Sequence, residues 1–279
     1  MRQQKNTKTA FTLIELLVVV AIIALLLAVT LPSLARAKQQ AQSVYCQNNL
    51  RQMMITAVLY TENNKGFFPM AYYTRNTDEA TIQYNWDFTV FYHAASPSVP
   101  SPAVVPPEEP QAKTTTITPG ILWQGDTIEK IQQCPSFRGG SNTANDPYTG
   151  YNYNTSYIGH GQQEIIPEPA RRDRLTRPAG TAVFGDGQGV DGGANKFMRA
   201  PLRSEGDFSF SGRYAGAQGF RHNQRTNVAW ADGGTSSQTE VYTNIDPARH
   251  KQTLDDYNQK NPRSPVGFLS SDNAAYKIR

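Results

Sequence analysis

The sequence predicts an α+β chain, a long N-terminal helix packed on an antiparallel β-sheet head, and three observations carry that prediction. Phe11 to Leu31 holds 18 apolar residues in 21 positions. Beyond it, apolar residues continue at helical spacing to about Asn64. Strand signals come late, where two β-prone runs flank an Asp-Gly turn. The chain has 279 residues, a length that fits one or two domains.

The first element is the apolar run. At 1.5 Å per residue its 21 residues span about 31 Å, the thickness of a hydrocarbon core. In lipid a single segment satisfies its backbone groups only as a helix, so its β-branched residues do not argue for a strand. Arg2, Lys5 and Lys8 precede the run and place the first ten residues in the cytoplasm. They also account for most of the basic balance. Without them the formal net charge falls from +4 to +1, so the pI near 9.0 does not point to nucleic acid as a partner.

Glu15 is out of place in that run, because a carboxylate at mid-bilayer costs on the order of 2.5–3.5 kcal/mol. A snorkelling charge near the helix end is one reading. The other is a partner cation. A cut after Ala10 would create an amine on Phe11 one helical turn from Glu15, or, in an assembly, beside the Glu15 of a neighbouring copy. The helix dipole also favours a carboxylate in the first turn.

The second element is the continuation of the helix over residues 32–64. Leu34, Ala37, Ala41, Val44, Tyr45, Leu50, Met53, Ala57, Val58 and Tyr60 form the expected apolar stripe, and Lys65-Gly66 the expected stop. Pro32 is expected to kink the helix. Cys46 lies on this segment and Cys134 in Gln133-Cys134-Pro135-Ser136. Two cysteines exclude a disulfide-dense scaffold and a multi-cysteine zinc site. Outside the cytosol the pair could oxidise, closing a loop of nearly ninety residues worth about 4–5 kcal/mol. Two separate buried thiols are the alternative.

The head is expected over residues 65–279. Seven prolines between Ser96 and Pro119 mark a polyproline-like or disordered surface insertion. Asn142 to Gly161, centred on Tyr151-Asn152-Tyr153-Asn154, reads as irregular loop with short extended pieces. Thr181–Phe184 is a short strand. Thr226–Ala231, the turn Asp232-Gly233-Gly234 and Thr235–Tyr242 form a hairpin. No internal repeat is evident.

The string from Ala10 to Val19, AFTLIELLVV, resembles the prepilin cleavage and methylation signature of type IV pilins and type II secretion pseudopilins. The resemblance implies a pilin-like fold and a prepilin peptidase that cuts before Phe11 and methylates its amine. It also implies that Glu15 neutralises that amine on an adjacent subunit as like subunits assemble in the inner membrane. Ala10 stands where these proteins usually carry glycine. A secretory signal ending at Ala35-Arg36-Ala37 is the rival reading, but the apolar stretch is longer than the usual 7–15 residues and contains a glutamate.

A second resemblance, to a family of prepilin-like proteins with a C-terminal H-x(9)-D-G motif, rests on His222, Asp232 and Gly233. Residues 48–52 (NNLRQ), Phe68-Pro69 and Cys134-Pro135-Ser136 also match it. It implies no role for the motif. Fully extended, the ten steps from His222 to Asp232 span about 33 Å, so a catalytic dyad is not expected. His222 is expected to order a loop, with Asp186 as a candidate partner.

Gly187, Gly189 and Gly192 spell a dinucleotide fingerprint but lack the helix it requires. Asp186 and Asp191 could hold Ca²⁺ weakly; no other cofactor is expected. The sequence has no G-x-S-x-G and no H-E-x-x-H, so an enzyme is not expected. The reading is a filament subunit, with a non-polymerising membrane-anchored binding module as the alternative.

Overall fold

The structure, a computed structural model, describes residues 12–93, 115–124, 130–140, 148–162, 164–166, 168–204, 216–245 and 249–278. It divides into two units, residues 1–41 and 42–279. The leader, Ala10, Phe11 and the proline-rich stretch up to residue 114 lie outside the described residues.

Helix α1 is Leu13–Asn63, and its assignment runs through Pro32. It ends as Lys65-Gly66 predicts. Both residues take positive φ, and the Gly66 N–H returns to the Thr61 carbonyl at 2.8 Å, closing a terminal turn that glycine accepts without strain.

Within residues 42–63 the buried face is Ser43, Cys46, Asn49, Leu50, Met53, Met54, Ala57 and Thr61. This corrects the expected stripe at its start. Val44 and Tyr45 are exposed, because the 3.6-residue phase is set by Cys46 and Leu50 and turns them outward.

Four strands then form an antiparallel meander: β1 (Tyr72–Asn76), β2 (Ala80–Asn85), β3 (Phe88–His93) and β4 (Thr115–Pro119). The end of the expected proline-rich insertion is therefore a strand, with Ile117 opposite Val90. The sequence reading placed no strand here. The outer strand β1 buries no residue fully, so it shows little of the in-out alternation that marks a half-buried strand.

The central sheet contains β5 (Asn152–Asn154), β6 (Ala182–Gly185), β8 (Phe197–Met198), β10 (Thr226–Trp230) and β11 (Thr235–Gln238), in the order β11-β10-β6-β5-β8. Its pairs are antiparallel except β5 with β8. A third sheet is formed by β7 (Gly187–Gly189), β9 (Gly216–Gly219) and β12 (Val266–Gly267), ordered β12-β9-β7. Helix α2 is Arg249–Lys260.

The segment expected as irregular loop with short extended pieces supplies one such piece, β5, and all three of its residues are buried. Tyr151 and Tyr153 enter the hydrophobic cluster that holds Leu50, Met53 and Met54 of α1. Asn152 and Asn154 spend their amides on backbone carbonyls of Ala217, Ala182 and Tyr276 at 2.8–3.0 Å. The asparagines are buried because the carbonyls there need donors, and composition alone reads as loop. A second apolar cluster, with Met198, Val228, Leu254, Val266 and Phe268, joins the central sheet to α2.

Candidate functional site

The N-terminal part of α1 starts with a reciprocal cap. The Thr12 N–H and hydroxyl both donate to Glu15 Oε2, at 2.8 and 2.7 Å, and the Glu15 N–H donates to Thr12 Oγ1 at 3.3 Å. This is a capping box, a Thr-x-x-Glu pattern legible in the sequence. It fixes one carboxylate oxygen at the start of the apolar helix and leaves Oε1 outside the box. From Leu13 to Leu34 the large apolar side chains are 45–86% exposed. The helix is long and apolar enough to cross a membrane, and none of its most apolar window is buried in the chain. An apolar surface of this extent marks a lipid or protein contact.

A different site lies in the head. Cys46 of α1, Cys134, Asp186 at the β6–β7 junction and His222 after β9 are brought together by the fold, all fully or almost fully buried. Their ligand atoms lie within 4.8 Å of one another. The two Sγ atoms are 3.2 Å apart, and both cysteines are free thiols. The structure therefore brings the expected pair together without a bond, which would need about 2.05 Å. Cys134 Sγ is 3.8 Å from His222 Nε2, which is 3.3 Å from Asp186 Oδ2.

Arg221, missed in the sequence reading, braces this cluster. Its guanidinium donates to Cys134 Sγ at 3.2 Å, to Asp186 Oδ1 at 3.2 Å, and to the Gly150 and Gly187 carbonyls. Gly150 takes φ +107°, and a Cβ there would lie 2.5 Å from the Cys134 Cβ, so only glycine fits beside the cysteine. Asn227 was also missed. Its N–H donates to Asp186 Oδ2 at 2.7 Å, and its side-chain oxygen accepts from Ser43 and Gln47 of α1, each at 3.2 Å. Neither residue matches a motif; a signal arises only when the fold places them.

The charges in the cluster are coupled. Burial alone would lower the His222 pKa, but the Asp186 carboxylate and the Cys134 sulfur raise it to about 9. Burial pushes the Cys134 thiol up, yet the Cys46 thiol's hydrogen bond, the Arg221 charge and His222 outweigh it and hold Cys134 well below the ordinary thiol range. Cys46, hydrogen-bonded to Cys134, buried and near Asp186, is shifted up. Tyr151 closes that side, accepting from the Asn49 amide at 3.1 Å.

The remaining sequence candidates lie elsewhere. Asp232 accepts from the Gly234 N–H at 2.8 Å, and Gly233 takes φ +93°, so both form the turn between β10 and β11. Asp191 accepts from the Gly193 N–H at 2.9 Å in an exposed turn and lies outside the Cys46 cluster that holds Asp186. Gly187 and Gly189 are in strand β7, followed by a turn and not a helix.

An apolar N-terminal helix with a capped acid, followed by antiparallel sheets, is an α+β layout consistent with a pilin-like fold. Residues 5–31 match the family described as the prokaryotic N-terminal methylation motif, which covers the second half of the leader and the apolar start of α1 and no part of the head. Neither a curated protein nor a solved structure matches the chain.

Proposed function

We propose that this chain is a structural subunit of a type II secretion pseudopilus or type IV pilus-like filament, and not an enzyme. Prepilin peptidase cuts before Phe11 and methylates the new amine. The chain then sits once in the inner membrane, with the head outside the cytoplasm, and copies stack through the apolar helix. Glu15 accepts the Phe11 amine of a neighbouring copy through Oε1 while Oε2 keeps the Thr12 cap. The observation that supports this reading is the exposed apolar stretch of α1, residues 13–31, inside the matched motif. Such a surface is compatible with lipid alone, but a carboxylate within it calls for a cation, and a processed neighbour supplies one.

The test is to express wild type and Glu15→Val in a host with an active prepilin peptidase. The mature N-terminus is read by mass spectrometry, and assembly by photo-crosslinking from a probe at Leu25. Wild type is expected to begin with N-methyl-Phe11 and to give crosslinked ladders. Glu15→Val is expected to reach the membrane and give none. A wild-type chain that starts at Met1 or near residue 38, or a Glu15→Val ladder equal to wild type, overturns the reading.

A further inference from the structure

We propose that Cys46, Cys134, Asp186 and His222 bind one borderline-soft divalent cation of the zinc class in a closed, structural site. The geometry is the first argument. Zinc bonds of about 2.3 Å to sulfur and 2.0–2.2 Å to nitrogen or oxygen set tetrahedral ligand separations of roughly 3.3–3.8 Å. The Cys134–His222 and His222–Asp186 edges measure 3.8 and 3.3 Å, and the sulfur pair, at 3.2 Å, must open by about 0.5 Å. No ligand pair exceeds 4.8 Å, so small side-chain rotations complete the figure.

The donor set is the second argument. Two sulfurs and an imidazole suit zinc, whereas Ca²⁺ takes six to eight oxygens. Asp186, a calcium candidate from the sequence alone, therefore belongs to a softer site. Charge is the third. Two thiolates and a carboxylate bring three negative charges against the two of the ion, and the buried Arg221 cancels the remainder.

The outer shell is also built. Arg221 donates to the Cys134 sulfur and the Asn227 N–H to the Asp186 carboxylate, as bound ligands require. His222 Nδ1 is buried without a partner among the described residues, in imidazolium and ligated imidazole alike, so it does not distinguish the two. With four buried ligands the site leaves no open position for substrate. Its role is to fasten the residue 42–63 part of α1 to the sheets of the head.

The test uses the full-length chain in mild detergent, purified without chelator or reductant. Elemental analysis is expected to give about one zinc per chain. Thiol titration in denaturant with chelator is expected to give both thiols. Demetallated protein refilled with Co²⁺ is expected to show the visible bands of a tetrahedral ion and a thiolate charge-transfer band. Arg221→Gln, which removes an outer-shell donor and no ligand, is expected to weaken binding about 10–100-fold in competition with a chromophoric chelator.

Absence of metal with no titratable thiol, the signature of a Cys46–Cys134 disulfide, overturns the proposal. So does absence of metal with both thiols free, or a Co²⁺ spectrum without thiolate character. If Arg221→Gln fails to fold, the wild-type cobalt spectrum still decides. None of these outcomes depends on filament assembly.

Discussion

Leu25 and Leu50 are the same residue type on the same helix, yet Leu25 is 67% exposed and Leu50 is fully buried. Around Leu25 every large apolar neighbour on α1 also faces outward. Around Leu50 the helix alternates apolar residues with Ser43, Cys46 and Asn49, each engaged with a group in the head. Among the described residues the large apolar side chains of the first stretch are all exposed. The polar-studded stretch buries one face, from Ser43 to Thr61, within the head and leaves Val44, Tyr45, Ile55 and Leu59 exposed. On the proposed function, uniform hydrophobicity suits lipid and a neighbouring copy, whereas mixed chemistry suits the sheets of the head.

That contrast predicts a graded series in the full-length chain, unfolded by urea in mild detergent and followed by tryptophan fluorescence. Asp186→Ala has the largest expected effect, about 3–5 kcal/mol, because it strands the buried Arg221 and His222 without their carboxylate. Leu50→Ala follows at about 2–5 kcal/mol, the range for a leucine truncated in a packed core. Leu25→Ala should shift the transition of the head by no more than about 0.5 kcal/mol. Equal losses for the two leucines would show that the head depends on the apolar stretch, and the contrast would fail.

The two ends of the fold were legible for different reasons. Residues 11–31 announce themselves because lipid accepts so few sequences, and the Asp232-Gly233 turn does so because its backbone suits glycine. The interior of the head is harder to read. Asn152 and Asn154 look like loop residues until the carbonyls of Ala182, Ala217 and Tyr276 are placed beside them. Val44 and Tyr45 look like core until Cys46 fixes the helical phase. The sequence reading takes two cysteines to exclude a multi-cysteine zinc site; the fold adds His222 and Asp186 to the pair, and the proposed site stands against that exclusion. Asp186, Arg221 and His222 join the pair only through strands that lie far apart in the chain. Asp186 and His222 were suspected of meeting, but nothing in their spacing points to the sulfurs beside them.

The Cys46 cluster also has a consequence for the order in which the polypeptide acquires its shape. Cys46 is made early, its first sulfur neighbour follows 88 residues later, and Asn227, which binds both Ser43 and Asp186, comes 184 residues after that serine. Contacts of such long sequence separation form slowly, because loop closure has to precede any gain. The meander of residues 72–119 can pair locally and first, and Phe68, Trp86, Leu122 and Tyr151 of the cluster with Leu50 and Met53 are made soon after α1, while Ser43 and Cys46 wait for Asn227 and His222 from the last third of the chain. For that interval the two cysteines lack the imidazole that later lies 3.8 Å from the Cys134 sulfur.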